Sequence, residues 1–422
     1  MASGAVAGHG RHRMRRPWHN TRPMFQTLKP VAPDPLLGVT EAFRADPSTT
    51  KIDLGVGVYR DAAGQTPVMQ AVREAEQRVL ARQTTKAYVG PGGNRPFAEA
   101  MARLALGDVH PVIAGKRVAA LQAPGGSGAL RLAAELLRLS GYTGAVQVSD
   151  PSWANHVPLL SGAGLATAPY PYYDRATGGI RRADMLAALE RLESGTVVLF
   201  HASCHNPTGA DLDPADWQAV AGVMAENRLV ALVDIAYQGL GQGLAEDAYG
   251  ARLLAERLPE VLVAVSCSKN FGMYRERVGA LLTITESAER SSIAMAHMQG
   301  LARRMYSMPP DHGGAVVAEV CADAALRAAW DTELTAMRAR VNGLRKDFAA
   351  AMRQATGSAR FDFVAGQRGM FSMLGLPAEA VARLRTEHHI YMAPDSRVNI
   401  AGFAGPEIGR VAAAIAGVAG AS

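Results

Sequence analysis

Along most of the chain, short solid runs of apolar residues alternate with helical stretches. Ala145–Val148, Thr196–Phe200, Leu229–Val233 and Val261–Val265 are short, mainly apolar runs. That pattern predicts strands buried on both faces of a mostly parallel sheet, with helices such as Asp213–Glu226 packed between them. Residues 61–325 therefore read as one large α/β domain. Beyond them the pattern changes to long Ala/Arg/Leu helices over roughly Ala322–Thr356. Strand candidates follow at Phe361–Val364 and Met370–Leu374, then a closing helix near residues 406–417. The segment 24–60 lacks the parallel-strand signature. Together with 326–422 it predicts a smaller α+β domain built from both chain ends. No internal repeat is present, and no apolar run is long enough to predict a transmembrane helix.

Composition changes this picture little. With 48% hydrophobic and 19% charged residues, the 422-residue chain can bury a large core. The net charge of +6 raises the question of a nucleic-acid partner. Its position answers it: Arg11, Arg13, Arg15, Arg16 and Arg22 lie before residue 24, where no acidic residue occurs, and the rest of the chain is nearly neutral. Residues 1–23 read as a disordered basic extension upstream of a start near Met24. An Arg-rich transit peptide and a nucleic-acid arm are the other readings, the first short of Ser and the second without a supporting motif. Cys204, Cys267 and Cys321 are an odd number without metal-like spacing, so neither a disulfide framework nor a metal site is expected, and a reducing, cytoplasmic setting is.

Candidate chemistry gathers after the strands. The run Val261–Val265 leads into Ser266-Cys267-Ser268-Lys269-Asn270-Phe271-Gly272, with Arg277 following. Loops after strand C-termini line the ligand crevice of an open α/β sheet, where a desolvated lysine stays nucleophilic. Taken alone, a lysine in a polar turn is equally a surface residue. The run 229–233 ends in Asp234, a carboxylate at the same crevice that needs a cationic partner, or else the cap of the next helix. Pro124-Gly125-Gly126-Ser127-Gly128 runs into a helix at 129–139 and offers backbone N–H groups to an anion. It lacks both the P-loop lysine and dinucleotide-site spacing. The turn His201-Ala202-Ser203-Cys204-His205-Asn206-Pro207-Thr208-Gly209 leaves the same edge. Its two histidines lack a third ligand at metal spacing.

These stretches, with Ile52–Asp61, Pro151–His156, Tyr306–Pro310 and Ser396–Gly402, resemble the class I aminotransferases, specifically the aspartate/aromatic amino acid subgroup, from about Phe25 to the C-terminus. The resemblance implies a fold-type I transferase with a seven-stranded, mostly parallel sheet, dependent on pyridoxal 5′-phosphate. It implies that Lys269 holds the cofactor covalently and then moves the substrate's α-proton. Asp234 would keep the pyridine nitrogen protonated, supported by His156. Asn206 and Tyr237 would bind the phenolic oxygen, and Trp153 would stack on the ring. Gly126, Ser127, Ser266 and Arg277 would hold the phosphate, joined by Tyr88 from the neighbouring subunit of a homodimer with shared active sites. Arg397 matches the clamp for the α-carboxylate, Arg303 the partner-supplied clamp for a distal carboxylate, and Gly57 the loop over the substrate.

Amino acids and 2-oxo acids are then the expected substrates, with no nucleic acid, membrane or metal involved. Some residues depart from the aspartate-specific pattern: Ser127 for a usual Thr, Ala87 for Asn before the tyrosine, and Met308 for Asn after Tyr306-Ser307. A roomier, more apolar rim favours aromatic substrates beside aspartate; an aspartate-preferring enzyme is the alternative. A lyase or decarboxylase fits the two carboxylate-binding arginines less well, and a non-enzymatic cofactor-binding regulator would need a DNA-binding helix-turn-helix module, for which residues 1–24 are too short.

Overall fold

A computed structural model describes residues 24–30 and 35–419, together with positions 1 and 4. The expected disordered extension at 1–23 lies outside the described residues, apart from those two positions.

The central sheet has seven strands: β1 (Val118–Pro124), β2 (Val146–Asp150), β3 (Thr167–Pro171), β4 (Val197–His201), β5 (Val230–Ile235), β6 (Val261–Ser266) and β7 (Val278–Ile284). Their order across the sheet is β1-β7-β6-β5-β4-β2-β3. β7 runs antiparallel to both neighbours, and the remaining pairs are parallel. The solid apolar runs have the expected cause. Val198, Phe200, Val233 and Val263 belong to the core on one face of the sheet. Their neighbours Val197, Leu199, Leu232 and Leu262 belong to the core on the other. Because successive side chains alternate faces, both sets must be apolar.

Helices α1 (Gly125–Leu139), α2 (Pro214–Glu226), α3 (Ala288–Tyr306), α4 (Ala324–Thr356) and α5 (Ile408–Ala419) matter most for the site. α2 starts on a capping box between Asp213 and Asp216, with Pro214 at its first position. α4 has 33 residues and spans about 50 Å. Its side chains Leu326, Trp330, Leu334 and Val341 pack into the core of the large sheet. Leu344, Phe348 and Met352 pack into a separate core that also takes Ile52, Ile390 and Val411. The helix changes partners between Val341 and Leu344. Two small sheets accompany the second core: Ile52–Asp53 beside Ile390–Tyr391, and β8 (Phe371–Met373) antiparallel to β9 (Arg397–Asn399).

One predicted element is corrected. Phe361–Val364 is not a strand but two helical turns, Ala359–Phe361 and Phe363–Gly366. Phe361 and Val364 are three residues apart, so one helical face sends both into the second core, which a strand could not do. α1 also begins four residues earlier than predicted, at the glycines themselves.

Candidate active site

The C-terminal ends of the parallel strands meet at one edge of the sheet. β6 ends at Ser266, and the turn after it carries Lys269 before the chain returns along β7. β5 presents Asp234 beside it. β4 leads into the loop bearing Asn206, and β2 leads through Trp153 to His156. Between these ends lies a cleft of about 610 Å³, partly open to solvent. Gly126, Ser127, Ser266 and Arg277 line one end of it; Lys269, Asp234, Asn206, Tyr237 and Trp153 line the rest.

At the first end, α1 begins directly after Pro124 with no capping side chain. Its first-turn N–H groups are left for a ligand. The glycines are required here. Gly125 has φ +69°, and a Cβ on it would sit 2.6 Å from Arg277 Nη2. A Cβ on Gly126 would sit 3.0 Å from the Ser266 Cβ. Their absence lets the guanidinium and the serine close around the helix start, forming an anion cradle.

In the middle, Asp234 is buried and accepts a hydrogen bond from His156 Nε2 at 3.1 Å. Burial alone pushes its carboxyl up. The His156 hydrogen bond, with the charges of His156 and Lys269, outweighs this and holds it below the ordinary carboxylate value. Behind His156, Ser152 Oγ is hydrogen-bonded to His156 Nδ1 at 2.9 Å and to His201 Nε2 at 3.2 Å. Burial, helped by the His156 charge, holds His201 down at about 3, so it is neutral. Lys269 is also pulled below the usual lysine value by burial, opposed by Asp234 and aided by Arg277. Its Nζ lies 5.0 Å from the Tyr237 ring centre. Burial drives the Tyr237 hydroxyl up, so it stays protonated.

Joined to the cleft through Asn206, Arg397 is buried. Its Nη1 donates to Asn206 Oδ1 at 3.3 Å and its Nη2 to the Gly55 carbonyl at 3.0 Å. Among the described residues its Nε has no partner. The guanidinium lies 4.3 Å from the Phe371 ring centre, and a Cβ on Gly57 would meet that ring at 2.8 Å.

The structure thus brings together Gly126, Ser127, Trp153, Asn206, Asp234, Tyr237, Ser266, Lys269 and Arg277, with His156 directly behind and Arg397 joined through Asn206. Gly57 sits on the loop that meets Phe371. Tyr88, 90% exposed, and Arg303, exposed on α3, do not line this cleft. The reading of local motifs missed Ser152 as a partner of His156 and its link to His201. Only the fold makes Ser152 and His201 neighbours. Among the described residues no group of three or more His, Cys, Asp or Glu could hold a metal.

Fold and cleft define an open α/β enzyme that sets a buried amine against a buried carboxylate, beside an anion cradle. The chain belongs to the class I and II aminotransferases, whose family model matches residues 49–415. It is 48% identical to the aromatic-amino-acid aminotransferase of Paracoccus denitrificans, over 90% of this chain and 95% of that one. It is 42% identical to the aspartate aminotransferase of Escherichia coli K12, over 90% and 96%. Its fold matches a solved aromatic-amino-acid aminotransferase from Burkholderia pseudomallei covalently bound to pyridoxal phosphate, with a TM-score of 0.92 at 42% identity, over 94% and 100%.

Proposed function

We propose that this aminotransferase uses pyridoxal 5′-phosphate to move an amino group between tyrosine, phenylalanine or aspartate and 2-oxoglutarate, in a ping-pong cycle. One observation carries the reading. Lys269 and Asp234 share a cleft with the uncapped glycine start of α1 and Arg277, and Arg397 is hydrogen-bonded to Asn206 of its lining. The names of its relatives, aromatic-amino-acid and aspartate aminotransferases, support it.

The cleft suits that cofactor: the glycine cradle takes a phosphate, and ionised Asp234 takes a protonated ring nitrogen. When bound, the cofactor supplies an electron sink for the substrate's α-carbon. The chain's own residues do the rest. Backbone N–H groups of Gly126 and Ser127, the hydroxyls of Ser127 and Ser266, and Arg277 hold the phosphate. His156 fixes the Asp234 carboxylate toward the ring nitrogen. Asn206 and the protonated Tyr237 donate to the phenolic oxygen, while Trp153 covers the ring face. Lys269, kept nucleophilic by its lowered pKa, would hold the cofactor, and its Nζ would take the proton from the substrate's α-carbon. Arg397 grips the α-carboxylate through two parallel hydrogen bonds.

In this reading the active unit is a homodimer. Tyr88 and Arg303, exposed outside their own cleft, serve the cleft of a second copy, at the phosphate and at a distal carboxylate. The chain divides into a large cofactor-binding domain (61–325) and a small one (24–60 with 326–422), and works in the cytoplasm. No helix among the described residues is long and apolar enough to cross a membrane.

The test compares kcat/KM for aspartate, tyrosine and phenylalanine with 2-oxoglutarate fixed. Stoichiometric amino transfer with comparable values for all three is expected. A hundredfold preference for aspartate, about 2.7 kcal/mol of differential transition-state binding, would overturn the aromatic assignment. Release of ammonia or carbon dioxide in place of transfer would sink the reaction itself.

A further inference from the structure

Arg345 lies on α4 just past the point where that helix passes from the large core to the small one. It is fully buried, yet no carboxylate bonds to its guanidinium. Its donors instead meet one short stretch of chain. Nε donates to the Gly369 carbonyl at 3.0 Å, and Nη1 to the Val364 carbonyl at 3.3 Å and to Ser372 Oγ at 2.7 Å. Nη2 faces the carbonyls of Arg368, Gly369 and Phe371 at 2.9, 2.7 and 2.6 Å. A buried cation is costly unless its donors are satisfied, and this one is satisfied only while residues 364–372 keep this curl.

That curl touches both halves of the substrate clamp. On one side it is keyed into the loop that carries Asn206. The Arg368 N–H donates to the Gly209 carbonyl at 2.7 Å. Gly209 has φ +71°, and a Cβ on it would sit 2.3 Å from the Phe371 carbonyl oxygen and 3.2 Å from Arg345 Nη2. A Cβ on Gly369 would sit 2.3 Å from the Cys204 Cβ. On the other side, the curl continues into β8, where Met373 pairs with Arg397 of β9, and the Phe371 ring lies beneath the Arg397 guanidinium. Asn206 and Arg397 then meet each other across the gap.

We propose that Arg345 is a positioning residue for the substrate's α-carboxylate: its guanidinium fixes the Phe371 carbonyl and ring, and through them the aim of Arg397 and its contact with Asn206. The proposal rests on the reading of Arg397 as the α-carboxylate clamp. A lysine would keep the charge but offers three donors from one point, and cannot span four carbonyls and a hydroxyl. Because every amino-acid substrate carries an α-carboxylate, loss of aim penalises aromatic and acidic substrates alike.

Three variants of the cofactor-loaded enzyme test this: Arg345→Lys, Phe371→Leu, which loosens Arg397 without touching the buried cation, and Arg397→Leu. KM and kcat are measured with aspartate and with tyrosine, alongside the thermal midpoint and the cofactor's absorbance. The expected result is that Arg345→Lys and Phe371→Leu raise both KM values about tenfold and by the same factor, while kcat changes much less. A lowered thermal midpoint with unchanged KM would mean that Arg345 is only structural and overturn the proposal. So would an effect confined to one substrate, or to kcat. If Arg345→Lys does not fold, Ser372→Ala, which removes one acceptor of the guanidinium, takes its place, and an unchanged KM there overturns the proposal. If Arg397→Leu leaves both KM values unchanged, the clamp reading itself fails, an outcome separate from failure of the other two variants.

Discussion

Asp234 and His201 are close neighbours in the cleft, yet burial leads them to opposite charge states. Asp234 has hydrogen-bonding and charged partners that outweigh its desolvation, so it stays ionised. An Asp234→Asn variant keeps the shape and removes only the charge. A hydrogen bond to a charged group is worth about 1.5–3 kcal/mol, so kcat/KM should fall roughly 10- to 150-fold with the cofactor still bound. Steady-state kinetics on cofactor-saturated enzyme check this; turnover equal to the parent would remove Asp234 from the mechanism. His201 has no such compensation and is held at about 3. The unfolded chain takes up this proton as pH falls through about 6.5, whereas the folded chain refuses it until about 3. The stability associated with a neutral His201 is therefore complete above 6.5 and lost as pH falls. Asp211 works the other way: burial pushes its carboxyl up to about 6, so between 3.8 and 6 folding binds its proton. The diagnostic quantity is thus a difference between proteins. From pH 7.5 to 5.0, wild type should lose on the order of 1–2 kcal/mol more unfolding free energy than His201→Asn. Parallel losses in denaturant titrations would show that His201 is charged in the folded state.

At the scale of elements, legibility followed burial. β4, β5 and β6 were readable because both faces are apolar, and the chemistry-bearing residues lie where those runs stop. β1 was not among the predicted strands. It contains Gln122, fully buried, whose amide donates to the Pro310 carbonyl at 2.8 Å and accepts from the Asn94 N–H at 2.6 Å. No local pattern announces partners so distant in sequence. β3 carries Pro169 and Pro171, which argue against a strand, and it survives because it is the edge strand of the sheet. The Phe361–Val364 run was misread because short apolar stretches carry no clear period. Many of the residues that line the cleft were already named in the sequence, through the family resemblance of its motifs. Arg345, by contrast, reads as one more arginine on an Arg-rich helix. What sets it apart is the set of carbonyls it meets, and those come from residues 19 to 26 positions further along.

For the whole molecule, the question is how many chains make one working cleft. Lys269 and Asp234 line one cleft of a single chain, and Arg397 of the same chain joins them through Asn206. Arg303 does not reach that cleft, although a substrate with a second carboxylate needs a second cation. If a two-fold partner supplies it, two different defects can be complementary. Lys269→Ala removes the nucleophile from its own cleft, while Arg303→Leu harms the cleft of the neighbour. A mixed dimer then places both defects in one cleft and leaves the other intact. Random reassociation of an equal mixture should restore about a quarter of the wild-type aspartate activity, since half the dimers are mixed and each has one whole site. Each parent alone should be far less active: the first on any amino acid, the second on aspartate more than on phenylalanine, which has no distal carboxylate. The measurement is aspartate turnover after co-refolding or subunit exchange, against the unmixed parents. If the mixture merely averages its parents, Arg303 acts within its own chain or not at all, and the shared-site dimer must be abandoned.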